Sequence, residues 1–348
     1  MTRALILTPS RGRGGGIERY AETLEWAFGC QNVEYQRLDL RQSGALAHAR
    51  LFTQARAVLR ESSEPTRLVL VHRALLPVAG LLARDPLVGG ISVICHGRDV
   101  WAGRLRPRSH VESHLMRRSG VRVIAVSSFT SGALSRSCQT SVLPPGLSEK
   151  WFSTLVLASA QPRDTRSDAH LVTAFRLSDW REKGLPQLLE AVAALGRGDV
   201  RVTVCGTGEP PSDLLQLVGQ YRWCALRPGL DDADLARQLA DADLFILATR
   251  TRYGRRPSGE GFGLVLLEAQ VVGTPVVGPA FGGSHDAFVD RVTGLAPADE
   301  TTAALEAVLG DLLRDRARLE RMGKDAAEWA RSYFLPQRYA SRAVSHLL

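Results

Sequence analysis

The chain has 348 residues, 45% of them hydrophobic and 23% charged. That is enough for about two domains with ordinary cores, and it excludes disordered, collagen-like and low-complexity architectures. Net charge is +8, with all the excess early: residues 1–150 hold 21 Lys and Arg against 11 Asp and Glu, the remainder 23 against 25.

In chain order, residues 4–7, 68–71, 91–95 and 123–126 are short continuous apolar runs, with amphipathic helical patterns such as 17–28 and 74–83 between them. Strands of that kind alternating with helices predict a parallel sheet covered on both faces. Pro144-Pro145-Gly146 and the polar stretch after it predict a boundary: a first domain over 1–150 and a linker over 151–168. The grammar then restarts. Strands are expected at 171–174, 200–205, 223–226, 244–248 and 275–278, and helices at about 185–196, 211–220, 232–241 and 262–272. A second domain is therefore expected over 169–335. Pro336 breaks the helical tail and leaves a last segment, 336–348. The fold expected is α/β, two doubly wound parallel-sheet domains facing a central cleft, with ligands outside the carboxyl ends of the strands.

No run of about 18 apolar residues marks a membrane span, and no signal-peptide pattern opens the chain, so a cytoplasmic address is expected. Cys30, Cys95, Cys138, Cys205 and Cys224 are odd in number and contain no CxxC pair, which fits neither a disulfide framework nor a thiolate zinc site. The early positive charge attracts phosphorylated substrates, anionic lipid surfaces or nucleic acid. No aromatics interleave with the arginines, so no nucleic-acid partner is expected.

Three segments put glycines or cations at a helix start, where free N–H groups and the dipole favour anions. The first is Pro9-Ser10-Arg11-Gly12-Arg13-Gly14-Gly15-Gly16. It reads as a phosphate approach or as a turn with no ligand. Ile17 breaks the GxGxxG pattern and Asp39 is a weak ribose partner, which disfavours a dinucleotide dehydrogenase. The second places Arg176 and Lys183 before the helix opening at Leu185-Pro186, where a bound anion would remove the clash of cations with the dipole; Arg181 reads as a solvent-facing charge. In the third, Arg250, Arg252, Arg255 and Arg256 form a solvated loop or a lid, ahead of Gly261, Phe262 and Gly263 at a helix start. Glu260 and Glu268 beside an anion site suit hydroxyls rather than phosphate, although Glu268 alone reads equally as a helix-surface glutamate.

Glu260-Gly261-Phe262-Gly263-Leu264-Val265-Leu266-Leu267-Glu268 resembles the EX7E signature of the family 4 retaining glycosyltransferases of GT-B fold. Gly15-Gly16-Ile17-Glu18, His96-Gly97-Arg98-Asp99, the Arg176…Lys183-Gly184 pair and Phe281-Gly282-Gly283-Ser284 are similar to that family's other motifs, so the resemblance spans nearly the whole chain. Arg176 and Lys183 stand seven residues apart, longer than the commonest family spacing.

The resemblance implies a nucleotide-diphosphate-sugar donor. Glu268 would bind the ribose and Glu260 the transferred sugar. Arg176 and Lys183 would hold the diphosphate, with backbone donors at Gly15 and Gly16 opposite, and His96 would lie beside the reacting sugar. His96 otherwise reads as a satisfied strand-end histidine. The acceptor hydroxyl is expected on a phosphorylated, lipid-linked or natural-product molecule, with peripheral association at an anionic membrane surface as one consequence. The last segment would cross back onto the first domain.

No cofactor or metal is expected. Asp232-Ala233-Asp234 and Asp241-Ala242-Asp243 match a metal-binding DxD pattern but sit at a helix start and a strand entry, where structural roles are the simpler reading. His110 and His114 lack the acidic partner of HExxH, and Ser127 lacks a GxSxG elbow, so it reads as a helix cap. A sugar-nucleotide epimerase, a phosphorylase and a catalytically silent nucleotide-sugar binding protein are alternatives on the same architecture.

Overall fold

The computed structural model describes residues 3–10, 15–61, 64–97, 109–163, 167–254 and 257–348. Residues 11–14 of the first glycine turn, Arg98 and Asp99 after His96-Gly97, and Arg255 and Arg256 lie outside the described residues. The chain divides into two compact units: residues 1–148 with 253–257 and 336–348, and residues 149–252 with 258–335.

The first unit contains β1 (Arg3–Thr8), α1 (Gly16–Cys30), β2 (Tyr35–Asp39), α2 (Ala45–Arg60), β3 (Thr66–Leu70), α3 (Leu76–Leu82), β4 (Val88–Cys95), α4 (Ser109–Met116), β5 (Val121–Ala125), α5 (Ser128–Leu134) and β6 (Ser141–Val142). The strands form one sheet in the order β2-β1-β3-β4-β5-β6, every pairing parallel. Leu5, Leu7, Leu68, Leu70 and Val93 are fully buried in its core, as continuous apolar runs require when helices cover both faces. Ser127 caps α5, its Oγ accepting the Thr130 N–H at 3.2 Å.

The second unit repeats the plan with α6 (Glu149–Ser159), β7 (Ala169–Arg176), α7 (Leu185–Ala194), β8 (Val200–Thr207), α8 (Ser212–Gly219), β9 (Cys224–Pro228), α9 (Asp232–Ala240), β10 (Leu244–Ile246), α10 (Leu264–Val271), β11 (Val276–Val277), β12 (Gly294–Leu295), α11 (Thr302–Arg314) and α12 (Arg316–Tyr333). Its parallel sheet runs β12-β11-β10-β7-β8-β9. One expectation fails here. Residues 151–159 of the expected linker, with Glu149 and Lys150 of the expected first domain, form helix α6, which buries Trp151, Phe152, Leu155 and Ala158 as one stripe and packs on α9 and α10. Burial of that stripe outweighs the weak order signals of the polar residues that follow.

Asp315 separates α11 from α12, its Oδ1 accepting the Arg318 N–H at 2.9 Å. A final helix, α13 (Pro336–Leu347), begins at a proline, whose missing N–H is harmless in a first helical turn. It packs on α1 within the first unit, and Ser92 Oγ on β4 donates to Leu347 O at 2.6 Å. Tyr339 of α13 lies over Gly146, where a Cβ would stand 2.2 Å from the tyrosine ring. The Pro-Pro-Gly turn therefore ends in the one residue that leaves room for Tyr339.

Candidate active site

In the second unit, the ends of β7 and β10 and the starts of α7 and α10 carry the residues of interest. After Arg176, exposed at the end of β7, the chain makes a single 3-10 turn over Leu177–Asp179. Trp180 is buried beyond it, and Lys183 N–H donates to Asp179 O at 2.9 Å. These anchors take up the long spacing between Arg176 and Lys183. Gly184 then turns the chain into α7 with φ 70°, and a Cβ there would stand 2.0 Å from Ala248 O. Only glycine satisfies both demands.

Lys183 is thereby delivered onto Glu260. Its Nζ donates to Glu260 Oε2 at 2.8 Å, and Thr249 Oγ1 donates to the same oxygen at 2.9 Å. Burial opposes ionisation of Glu260, but the Lys183 charge and hydrogen bond, the Thr249 hydroxyl and the Gly261 N–H outweigh it. The carboxyl is held below its ordinary value. Glu260 O in turn accepts the Gly283 N–H at 2.9 Å, and Gly282, at φ 115°, passes so close that a Cβ would stand 2.7 Å from that oxygen. The late glycine segment is thus clamped against Glu260.

Glu268 is not a helix-surface glutamate. It is 5% exposed, and Trp151 Nε1 of α6 donates to its Oε1 at 2.9 Å. Gly261 is buried, and Gly263, at φ 81°, opens α10 without a side-chain cap, as Gly184 opens α7. Asp231, Thr301 and Asp315, by contrast, cap their helices with side-chain oxygens. In α7 the Leu185 N–H is taken by Trp180 O at 3.1 Å and Pro186 has none, which leaves Gln187, whereas α10 leaves the Leu264 and Val265 N–H groups for water or an anion. Phe262 was expected among donor contacts, but its side chain is buried against Phe334, with ring centroids 6.2 Å apart. Only its backbone remains for that role.

The arginine loop is tied down at its base. Arg250 N–H donates to Glu182 O at 3.0 Å, and Arg252 Nη1 pairs with Glu182 at 2.7 Å. Arg181 pairs with Asp213 and lies over the Trp180 ring, 4.0 Å from its centroid. The second DxD segment serves structure, and the first stands at a helix start as expected, although the cap there is the preceding Asp231. Asp232 and Asp234 stand in the first turn of α9 behind the Asp231 cap, Asp241 pairs with Arg237 at 3.0 Å, and Asp243 accepts the His170 N–H at 2.8 Å.

In the first unit, His96 follows β4. Its Nε2 lies 2.9 Å from Val71 O, and because a carbonyl only accepts, that nitrogen carries the proton. The ring stacks on His72 at 6.2 Å and meets the Tyr20 edge at 5.2 Å. Burial pushes the Tyr20 hydroxyl up to about 12, so it stays protonated beside the histidine. Gly15 is extended at φ 171°, and a Cβ on Gly16 would meet nothing within 4 Å. Gly15 is not required by its own backbone, nor Gly16 by its neighbours.

The structure therefore joins Lys183 to Glu260, holds Glu268 in the adjoining helix, and leaves Arg176 at the strand end of the same unit. His96, Gly15 and Gly16 belong to the other unit. Trp151 and Thr249 were missed from sequence, since neither lies in a motif. The one signal for Trp151 was a large aromatic just after Pro144-Pro145-Gly146.

Residues 170–329 match the family model of glycosyl transferases group 1. A GDP-mannose-dependent alpha-(1-6)-phosphatidylinositol monomannoside mannosyltransferase of Mycolicibacterium smegmatis is 29% identical over 74% of this chain and 69% of its own length. A D-inositol 3-phosphate glycosyltransferase of Arthrobacter sp. is 33% identical over 55% of this chain and 46% of its own. Among solved structures, the sucrose-phosphate synthase of Thermosynechococcus elongatus superposes with a TM-score of 0.79 at 18% identity, over 99% of this chain and 98% of that one.

Proposed function

We propose that this chain, a glycosyltransferase of GT-B fold by its family match and its relatives, moves a hexosyl group from a nucleoside-diphosphate sugar to an acceptor hydroxyl with retention at the anomeric carbon and without a metal. The observation that carries this reading is the Lys183–Glu260–Thr249 cluster between two helix starts that no side chain caps. Glu268, positioned by Trp151, accepts the ribose hydroxyls. Glu260 accepts a hydroxyl of the transferred sugar. Lys183 keeps donors beyond the one given to Glu260, so with Arg176 it holds the diphosphate. Gly15 and Gly16 offer backbone N–H groups to an anionic oxygen of the donor, and His96 stands beside the reacting sugar.

In the reaction the bond from the anomeric carbon to the diphosphate oxygen breaks, and a bond to the acceptor oxygen forms on the same face. The acceptor proton passes to the leaving phosphate. Negative charge grows on that phosphate, so cations and helix N–H groups aimed at it stabilise the transition state more than the ground state. No pair of protein carboxylates is needed, in contrast to glycoside hydrolysis.

For the acceptor we infer a phosphate-bearing polyol. The two relatives' names share an inositol phosphate unit, and the first 150 residues carry the net positive charge that would draw such a molecule. A lipid-linked form would bring the chain to an anionic membrane surface. NMR of the product made from an α-linked donor tests the stereochemistry: an α-linked product is expected, and a β-linked one overturns the mechanism. Slow donor hydrolysis without acceptor, lost in Lys183→Ala, would distinguish a transferase from a silent binding protein. An epimerised donor would point to an epimerase.

A further inference from the structure

The first unit holds a cavity of 440 Å³ that none of the roles above uses. It lies at the C-terminal end of β2, the end at which doubly wound sheets bind ligands, and extends along the first turns of α2. Leu40 and Leu51 give it an apolar floor, and Asp39, Arg41 and Arg50 line it beside them.

Arg37 on β2 shows what the other two arginines lack. Its Nη1 donates to Glu25 Oε2 at 2.6 Å and its Nε to Asp39 Oδ1 at 2.8 Å, so its charge is compensated twice. Arg41 and Arg50 make no hydrogen bond or ion pair among the described residues. The start of α2 adds to the same field. Gly44 enters the helix at φ 112° with no side-chain cap, and no acidic residue occupies the first turn. Arg41 and Arg50, both exposed and without a partner among the described residues, therefore line one concave surface beside Ala47 of the first turn of α2, a combination that suits a phosphate ester better than a hydroxyl or an apolar group.

We propose that this cavity binds the phosphate of a polyol phosphate, with Arg41 and Arg50 on the phosphate and the Asp39 carboxylate, already oriented by Arg37, accepting a polyol hydroxyl. The proposal rests on the reading of the acceptor as a phosphate-bearing polyol and assigns the phosphate to named residues. Planar guanidinium forks match phosphate oxygens in pairs, whereas lysines would offer only point charges. The apolar floor receives the ring face of the polyol.

Calorimetric titration of the full chain with D-myo-inositol 3-phosphate, myo-inositol and inorganic phosphate tests this, with Arg41→Ala/Arg50→Ala alongside the natural sequence. Thermal stabilisation by UDP or GDP serves as the check that the variant is folded. The natural chain should prefer the inositol phosphate to either fragment, and the double variant should bind it at least about tenfold more weakly, as loss of charge-assisted hydrogen bonds requires. Equal binding by the variant overturns the cavity assignment and leaves the acceptor class standing. If the natural chain binds inorganic phosphate as well as the inositol ester, the cavity is a general anion patch and the assignment falls. Absence of binding to either phosphate compound overturns the cavity and the acceptor class together.

Discussion

Trp151 and Glu268 are 117 residues apart in sequence, yet the indole N–H donates to the buried carboxylate at 2.9 Å within one unit. A buried carboxylate left without such a donor pays a desolvation cost, and a hydrogen bond to a charged group contributes about 1.5–3 kcal/mol. Trp151→Phe keeps most of the apolar contact and removes the donor. Since Glu268 is assigned to the ribose, the expected result is a donor KM raised roughly ten- to hundredfold with a smaller change in kcat. An unchanged KM would show that Trp151 only packs.

Lys183 and Glu260 give a prediction in pH. The folded Glu260 carboxyl titrates below its ordinary value of 4.5, with burial opposing ionisation and the lysine, threonine and backbone donors overcoming it. A depressed carboxylate contributes stability that is complete above the unfolded value and is lost as pH falls through the folded one. The melting-temperature advantage of the natural chain over Glu260→Gln should therefore be constant near neutrality and shrink only below about pH 4. Lys183→Ala leaves burial less opposed and raises the folded value, so it should shrink that acid-side loss or reverse it. In activity the same substitution removes a cation from the developing diphosphate charge, and turnover should fall roughly 10²–10³-fold.

Much of this was legible in sequence, for a physical reason. The runs at 4–7, 68–71, 91–95 and 123–126 fall on β1, β3, β4 and β5 because strands buried on both faces cannot alternate polarity. By contrast β2, Tyr35–Asp39, is an edge strand with no fully buried residue, so it leaves no apolar run. Helix α6 was hidden because its stripe is short and polar residues follow at once. In the site, Lys183, Glu260 and Glu268 carry motif spacing, but the contact between Lys183 and Glu260 spans 77 residues and is set by the loop around Trp180 and Gly184. Thr249 and Trp151 contribute one hydrogen bond each, and such partners are defined by the fold alone.

Two glycines with similar backbone angles separate strain from crowding. Gly184 has φ 70° and a Cβ there would stand 2.0 Å from Ala248 O, whereas Gly196 has φ 61° and open space around it. Gly196→Ala should cost about 1–2 kcal/mol, the penalty of a left-handed residue. Gly184→Ala adds a backbone collision, so it should lower the melting temperature several times more and displace Lys183. Denaturant unfolding of both variants checks the difference, and equal costs would contradict the close approach to Ala248.

Metal dependence is testable without any substitution. Asp241 and Asp243 are engaged in an ion pair and a backbone contact, Asp232 and Asp234 stand in the first turn of α9 behind the Asp231 cap, and the proposed chemistry places its positive charge on Arg176, Lys183 and helix starts. Transfer should proceed unchanged after dialysis against EDTA. Activity lost on chelation and restored by Mg²⁺ or Mn²⁺ would overturn the metal-free part of the proposal.

Gly16 offers the sharpest separation of folding from function. It opens α1, a Cβ there would meet nothing within 4 Å, and alanine is a better helix former than glycine by about 0.8–1.0 kcal/mol in a helix interior. Gly16→Ala should therefore leave the melting temperature unchanged or slightly raised. If the backbone N–H at this helix start meets an anionic oxygen of the donor, the added methyl stands where that oxygen must approach, and donor turnover should fall at least about tenfold, as loss of one positioned N–H donor would cause. A variant that is as stable and as active as the natural chain would mean that the first glycine segment is a turn with no ligand, and the donor phosphate would then rest on second-unit residues alone.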